Sequence, residues 1–154
     1  MVRFAAALIA LCLAAAAPPA MAAEPAGALL ADVNLARAKQ GLAPLHLVAL
    51  LSKVANAHSA AMARLGFFDH RGADGKRIAE RLTDAGYGFL FAGENLSAGI
   101  GNPDTVVKQW LLSHDHRTNL LEPRARDAGI GYVAAPHGQF RYYWTLILAE
   151  PARR

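Results

Sequence analysis

The sequence predicts an α+β domain, with helices in the first two-thirds of the chain and strands in the last third. In several segments before residue 114, apolar side chains recur every three or four positions, which is the spacing of amphipathic helices. After residue 127 the segments are rich in aromatic and β-branched residues, which favour strands. Because the helices precede the strands and do not alternate with them, the pattern indicates the α+β class.

Three helices are predicted in the first half of the chain. Two of them cover residues 27–40 and 47–65, and a glycine directly follows each. A short third helix lies within residues 77–87 and ends at Gly86. Glycine is common just past a helix because it adopts the left-handed backbone conformation without strain.

A fourth helix is predicted from Pro103 to about Ser113, since proline is favoured at the first position of a helix. Its apolar residues can share the face that packs on the core: Val106, Val107, Trp110 and Leu111.

The strands are expected around and after this helix. Residues 86–103 are rich in glycine and leave room for one short strand. Residues 128–135 and 140–150 flank the turn sequence PHGQ, and this arrangement predicts an antiparallel hairpin.

Residues 1–22 have the pattern of a cleaved secretory signal peptide. Arg3 precedes an apolar run of about 14 residues, and "AMA" at 20–22 fits the small-x-small rule for cleavage. The run is too short to span a membrane, which takes about 20 residues. Cys12, the only cysteine, follows Leu11 and not a small residue, so we expect cleavage and not lipid attachment.

The remaining residues, 23–154, suit a single domain and contain no cysteine, so no disulfide is expected. No later segment is long and apolar enough to span a membrane. We therefore expect an exported monomer, either periplasmic or secreted.

The net charge of +4 comes from basic residues scattered along the chain. No basic run is interleaved with aromatic residues, so the sequence excludes a nucleic-acid partner. A mildly basic surface could favour anionic polymers of the cell envelope.

Two histidines and one glutamate are candidates for a functional site. His58 lies on the apolar face of the second helix, where it is either a hydrogen-bonded core residue or part of a cavity wall. His70 ends the sequence GFFDH, as a member of an aromatic-anchored turn or as a ligand. Glu94 follows Gly93 in FAGENL and is either a ligand or base, or a carboxylate that caps backbone amides.

The segment SHDHRTN at 113–119 contains two more histidines. On a helix, His114 and His116 would point about 200° apart, so at most one of them can enter a given site. We expect His114 to face solvent and His116 to lie just past the helix end. The sequence contains no HExxH, no G-x-S-x-G and no phosphate-binding loop.

Six segments occur in order along the chain: VANAHSAAMA, GFFDH, GENLSAG, VVKQWLLSHDHRTNLL, AGIGY and YYWTLIL. Together they resemble the bacterial, SCP-like branch of the CAP superfamily, which is named after cysteine-rich secretory proteins, antigen 5 and pathogenesis-related proteins. The resemblance covers a domain at residues 28–150.

This resemblance implies an α-β-α sandwich with a central, mostly antiparallel sheet and a cleft lined by two histidines and two acids. The matching histidines here are His70 and His116, the latter thirteen residues before Gly129. The matching first acid is Glu94, but Ser113 occupies the position of the second, so the family's set of four is incomplete.

The resemblance leaves two classes of function open. In the first, a binding module holds a divalent metal (Zn²⁺ or Mg²⁺) at His70 and His116, with a small lipid-like ligand or a cell-wall polymer. In the second, an enzyme cleaves peptidoglycan glycan strands with Glu94 as general acid. The lack of a second carboxylate favours a lytic reaction, and hydrolysis by metal-bound water is a further alternative. Ser113 and His58 would lie beside the cleft.

Overall fold

Four strands form one sheet in the computed structural model, which describes residues 25–152. The strands are β1 (His46–Leu47), β2 (Phe89–Ala98), β3 (Asp127–Ala134) and β4 (Tyr142–Pro151). They lie in the order β1–β3–β4–β2. β4 pairs antiparallel with both β2 and β3, and only β1 runs parallel to its neighbour. The predicted α+β class with a mostly antiparallel sheet is therefore confirmed.

Within residues 25–152, five helices cover the two faces of this sheet. They are α1 (Pro25–Ala38), α2 (Ala49–Leu65), α3 (Ile78–Asp84), α4 (Pro103–Leu112) and α5 (His114–Leu120). Successive residues of β4 point to opposite faces, as in any strand. Trp144, Leu146 and Leu148 pack with residues of α1 and α4 on one side. Ile147 and Ala149 pack with residues of α2 and α3 on the other, which completes the α-β-α sandwich.

Two glycines of β3 allow α2 to lie directly on the sheet. A Cβ atom at Gly129 would lie 2.2 Å from the backbone of Leu51, and one at Gly131 would lie 2.3 Å from the backbone of Ala55. Any larger residue would therefore displace the helix. The sequence AGIGY thus fixes the position of α2 and of the turn that follows it.

Two elements differ from the sequence-based expectation. β2 is ten residues long, not a short strand, because β4 pairs with it from Phe89 to Ala98. Residues His114–Leu120 form a helix of their own, so the expected position of His116 just past a helix end is wrong. Ser113 has extended backbone angles and separates α4 from α5. The expected signal peptide at 1–22 lies outside the described residues.

Candidate functional site

The turn after α2 carries His70. The helix ends at Gly66, which has a φ of +70° and donates its N–H to the backbone oxygen of Met62. The buried His58 ring packs edge-on against Phe67 and places Nε2 2.9 Å from the backbone oxygen of Asp69, which accepts its hydrogen bond. His58 therefore stabilises this turn from its buried side, through the backbone of Asp69. Burial, followed by the positive charge of Arg81, lowers the pKa of His58.

His70 and Glu94 are in direct contact. His70 Nδ1 lies 2.9 Å from Glu94 Oε1. The imidazole is open to solvent, with 48% of its side chain exposed, whereas the Glu94 side chain is only 2% exposed. The histidine can therefore meet a ligand directly, while the carboxylate lies behind it.

Arg81 of α3 completes this contact, although the sequence did not single it out. Its Nη2 donates to Glu94 Oε2 at 2.7 Å and to the backbone oxygen of His70 at 3.1 Å. The spacing could have indicated that Arg81 faces inward, because it follows Ile78 by three residues and therefore lies on the same face of α3. Both Glu94 oxygens are thus occupied.

His116 lies on α5, beside β2, and is near enough to His70 for the two charges to interact. Its backbone oxygen accepts a hydrogen bond from the side chain of Asn95, the neighbour of Glu94, at 2.9 Å. Its half-buried ring has its centroid 6.5 Å from that of Trp110. Burial, and next the charge of His70, lower the pKa of His116. His114 instead has 82% of its side chain exposed and contacts Asp115.

Asn119 attaches α5 to β2. Its side-chain amide donates to the backbone oxygen of Glu94 at 3.2 Å and to Asn95 Oδ1 at 3.0 Å. A Cβ at Gly93 would lie 3.0 Å from the Asn119 side chain, so the glycine of the GEN sequence leaves room for this contact. The Ser113 side chain does not cap α5, and Ser113 serves as the junction of α4 and α5.

The side chains around His70 differ in whether they have a free donor atom for a metal ion. Among residues 25–152, no three His, Cys, Asp or Glu side chains are grouped as a metal site. Glu94 is already engaged through both oxygens, which leaves the imidazoles of His70 and His116 as the available donors. A metal-binding histidine typically donates its other ring N–H to a carboxylate, and His70 and Glu94 have that arrangement. These residues fit a site of two imidazoles better than one that includes the carboxylate.

A separate cavity of about 660 Å³ lies between α2, the turn at 72–76 and α3. Its wall is mainly apolar and includes Val54, Ala57 and Ala61. His58 and Arg81 also line it, so Arg81 borders this cavity and also contacts His70 and Glu94.

The sequence matches the model of a known protein family. The model of CAP, the cysteine-rich secretory protein family, matches residues 30–148. The chain belongs to this family. The CAP relatives include the protein YkwD of Bacillus subtilis (strain 168), which is 39% identical over 100 residues. The membrane protein YlbC of the same strain is 32% identical over 98 residues.

These matches cover 65% and 64% of this chain but only 39% and 28% of the relatives. The chain therefore spans less than half the length of either curated relative.

Solved structures show the same CAP fold. An extracellular protein with an SCP domain from Bacillus anthracis str. Ames has a TM-score of 0.72 and 25% identity, covering 79% of this chain and 39% of that one. An outer surface protein from Borrelia burgdorferi has a TM-score of 0.74 and 20% identity, covering 80% of this chain and 90% of that one. These neighbours are extracellular or surface proteins. In the part of this chain that the structure describes, no helix has the length and apolar character needed to cross a membrane.

Proposed function

We propose that this CAP domain is an exported cell-envelope binding module. Its cleft holds a divalent metal ion between His70 and His116, together with a small lipid-like ligand or an envelope polymer. The observation that carries the proposal is the 2.9 Å contact between His70 Nδ1 and Glu94 Oε1. This contact favours a proton on Nδ1, and in the neutral imidazole the lone pair of Nε2 is then free on an exposed ring.

The chemistry of the two donors favours zinc over magnesium, because imidazole suits Zn²⁺ and Mg²⁺ prefers oxygen ligands. A histidine binds a cation only in its neutral form. The lowered pKa of His116 keeps that ring neutral to a more acidic pH than usual. When bound, the metal would supply a Lewis-acidic centre with open positions for a ligand. The protein would supply the two imidazoles and the carboxylate that orients one of them.

Calorimetric titration of Zn²⁺ tests this proposal. The wild-type protein should bind one equivalent, and His70→Ala and His116→Ala should each abolish binding. His114→Ala is the matched control, since this imidazole is two residues from His116 but faces solvent. Wild-type protein without Zn²⁺ binding, or loss of binding in His114→Ala alone, would contradict the proposed site.

The arrangement gives less support to Glu94 as the general acid of a peptidoglycan-cleaving enzyme. A general acid must present a protonated oxygen to the substrate. Glu94 is almost fully shielded and receives a hydrogen bond from Arg81, an obligate donor. Incubation of the protein with peptidoglycan, with and without a chelator, distinguishes the two classes. The binding module should release no new muropeptides, and anhydro- or reducing-end products would favour the enzyme.

A further inference from the structure

The residues that hold the cleft histidine come from three separate segments. His70 belongs to the turn after α2, Glu94 to β2 and Arg81 to α3. Arg81 Nη2 contacts the backbone of His70 and the carboxylate of Glu94, and Glu94 in turn contacts the His70 ring. The three contacts form a closed ring, so Arg81 holds the backbone of His70 directly and its imidazole through Glu94.

Arg81 is poorly satisfied for a buried cation. Only 11% of its side chain is exposed, and its Nε and Nη1 atoms are buried without a hydrogen-bond partner. A guanidinium has five N–H donors, and leaving some of them unpaired in the interior costs folding free energy. These unpaired donors offset part of the stabilisation that Arg81 gains from its ion pair with Glu94. Its contacts with Glu94 and His70 serve the geometry of the cleft.

We infer that Arg81 is a positioning residue that sets the tautomer of His70. The arginine fixes Glu94 Oε2, which directs Oε1 toward His70 Nδ1. A carboxylate oxygen can only accept, so Nδ1 carries a proton, and in the neutral imidazole Nε2 keeps its lone pair. The tautomer follows from the contacts in the protein itself. Its effect on metal affinity rests on the proposed function.

The test compares Arg81→Met with Arg124→Met. Arg124 also forms an ion pair with a glutamate, Glu122, but its side chain is exposed and lies away from His70. It is therefore the matched control. In metal-free protein, nitrogen-15 chemical shifts of the His70 ring should show a proton on Nδ1 in the wild type and in Arg124→Met. In Arg81→Met, a substantial fraction of the protons should move to Nε2.

Zn²⁺ titration gives the second measurement. The dissociation constant should rise about 10- to 100-fold in Arg81→Met, which is the usual effect of losing support for a metal-binding histidine, and should stay unchanged in Arg124→Met. Arg81→Lys serves if the methionine variant does not fold. A lysine keeps the charge but lacks the planar fork of the guanidinium, so the tautomer should again become mixed.

The outcomes separate this inference from the proposed function. An unchanged tautomer and unchanged Zn²⁺ affinity in folded Arg81 variants would overturn the inference and leave the metal site intact. A changed tautomer in a protein whose wild type binds no Zn²⁺ would support the positioning role and overturn the metal proposal.

Discussion

His58 shows how a buried histidine can support a neighbouring site without entering it. The ring donates a hydrogen bond to the backbone of Asp69, the residue before His70, and also lines the cavity beside α2. Both sequence-based alternatives, a core residue and a cavity wall, thus describe part of its role. The role of Arg81 was harder to predict from the sequence, because it depends on a contact with Glu94, which lies 13 residues further along the chain.

The lowered pKa of His58 predicts a loss of stability in acid. The unfolded chain binds a proton near pH 6.5, whereas the folded chain binds it only at lower pH. The free energy of unfolding should therefore be unaffected above about pH 6.5 and should decrease as the pH falls from there through the lowered pKa. His116 should contribute in the same direction.

His58→Gln isolates this contribution, because glutamine keeps an N–H donor for Asp69 and does not titrate. Urea unfolding at pH 7.5 and pH 5 should show a smaller pH dependence in this variant than in the wild type. The exposed His114→Gln should keep the wild-type dependence. Equal pH dependence in all three proteins would show that folding does not lower the pKa of His58.

The helices and strands differ in how far their own residues determine them. α1, α2, α4 and the β3–β4 pair follow local patterns of apolar residues, and the sequence predicted each of them to within a few residues. β2 and α5 depend on partners elsewhere. β2 extends through a glycine because β4 pairs with it along its length. α5 has one fully buried apolar residue, Leu120, and is held to β2 through Asn119.

The contact between α2 and β3 gives a prediction for this level of structure. Gly129→Ala would place a methyl group 2.2 Å from the backbone of Leu51, so the helix must shift. We expect a loss of about 3 kcal/mol in the free energy of unfolding, at the upper end of the usual cost of overpacking. Gly27→Ala in α1 is the control, since its Cβ would meet nothing within 4 Å. A near-wild-type stability of Gly129→Ala in urea unfolding would contradict the close packing.

The molecule as a whole is held together without a disulfide in residues 25–152. Apolar clusters pack on both faces of the sheet, and a buried arginine links segments on the face covered by α1 and α4. Arg37 of α1 is fully buried and donates to four backbone oxygens, those of Ala43, Leu120, Glu122 and Ala125. It thereby connects the first helix to the end of α5 and the turn before β3.

Arg37→Met should therefore lower the free energy of unfolding by about 3–5 kcal/mol, because a buried acceptor left without its donor costs about 1–3 kcal/mol and the oxygens of Leu120 and Ala125 are two such acceptors. Lys39→Met removes the same charge from an exposed position just past the same helix, and should change stability by less than about 0.5 kcal/mol. Similar melting temperatures for the two variants would show that the Arg37 contacts contribute little to holding these segments together.

The central claim, that His70 and His116 together hold a metal ion with Glu94 behind them, is tested most directly by anomalous X-ray diffraction. Crystals of the protein soaked in Zn²⁺ would be measured on both sides of the zinc absorption edge. We expect one difference peak, between His70 Nε2 and the His116 ring. Glu94 should still be hydrogen-bonded to His70 Nδ1 and to Arg81. No peak at that place, or a peak at which Glu94 is a direct ligand and has left Arg81, would contradict it.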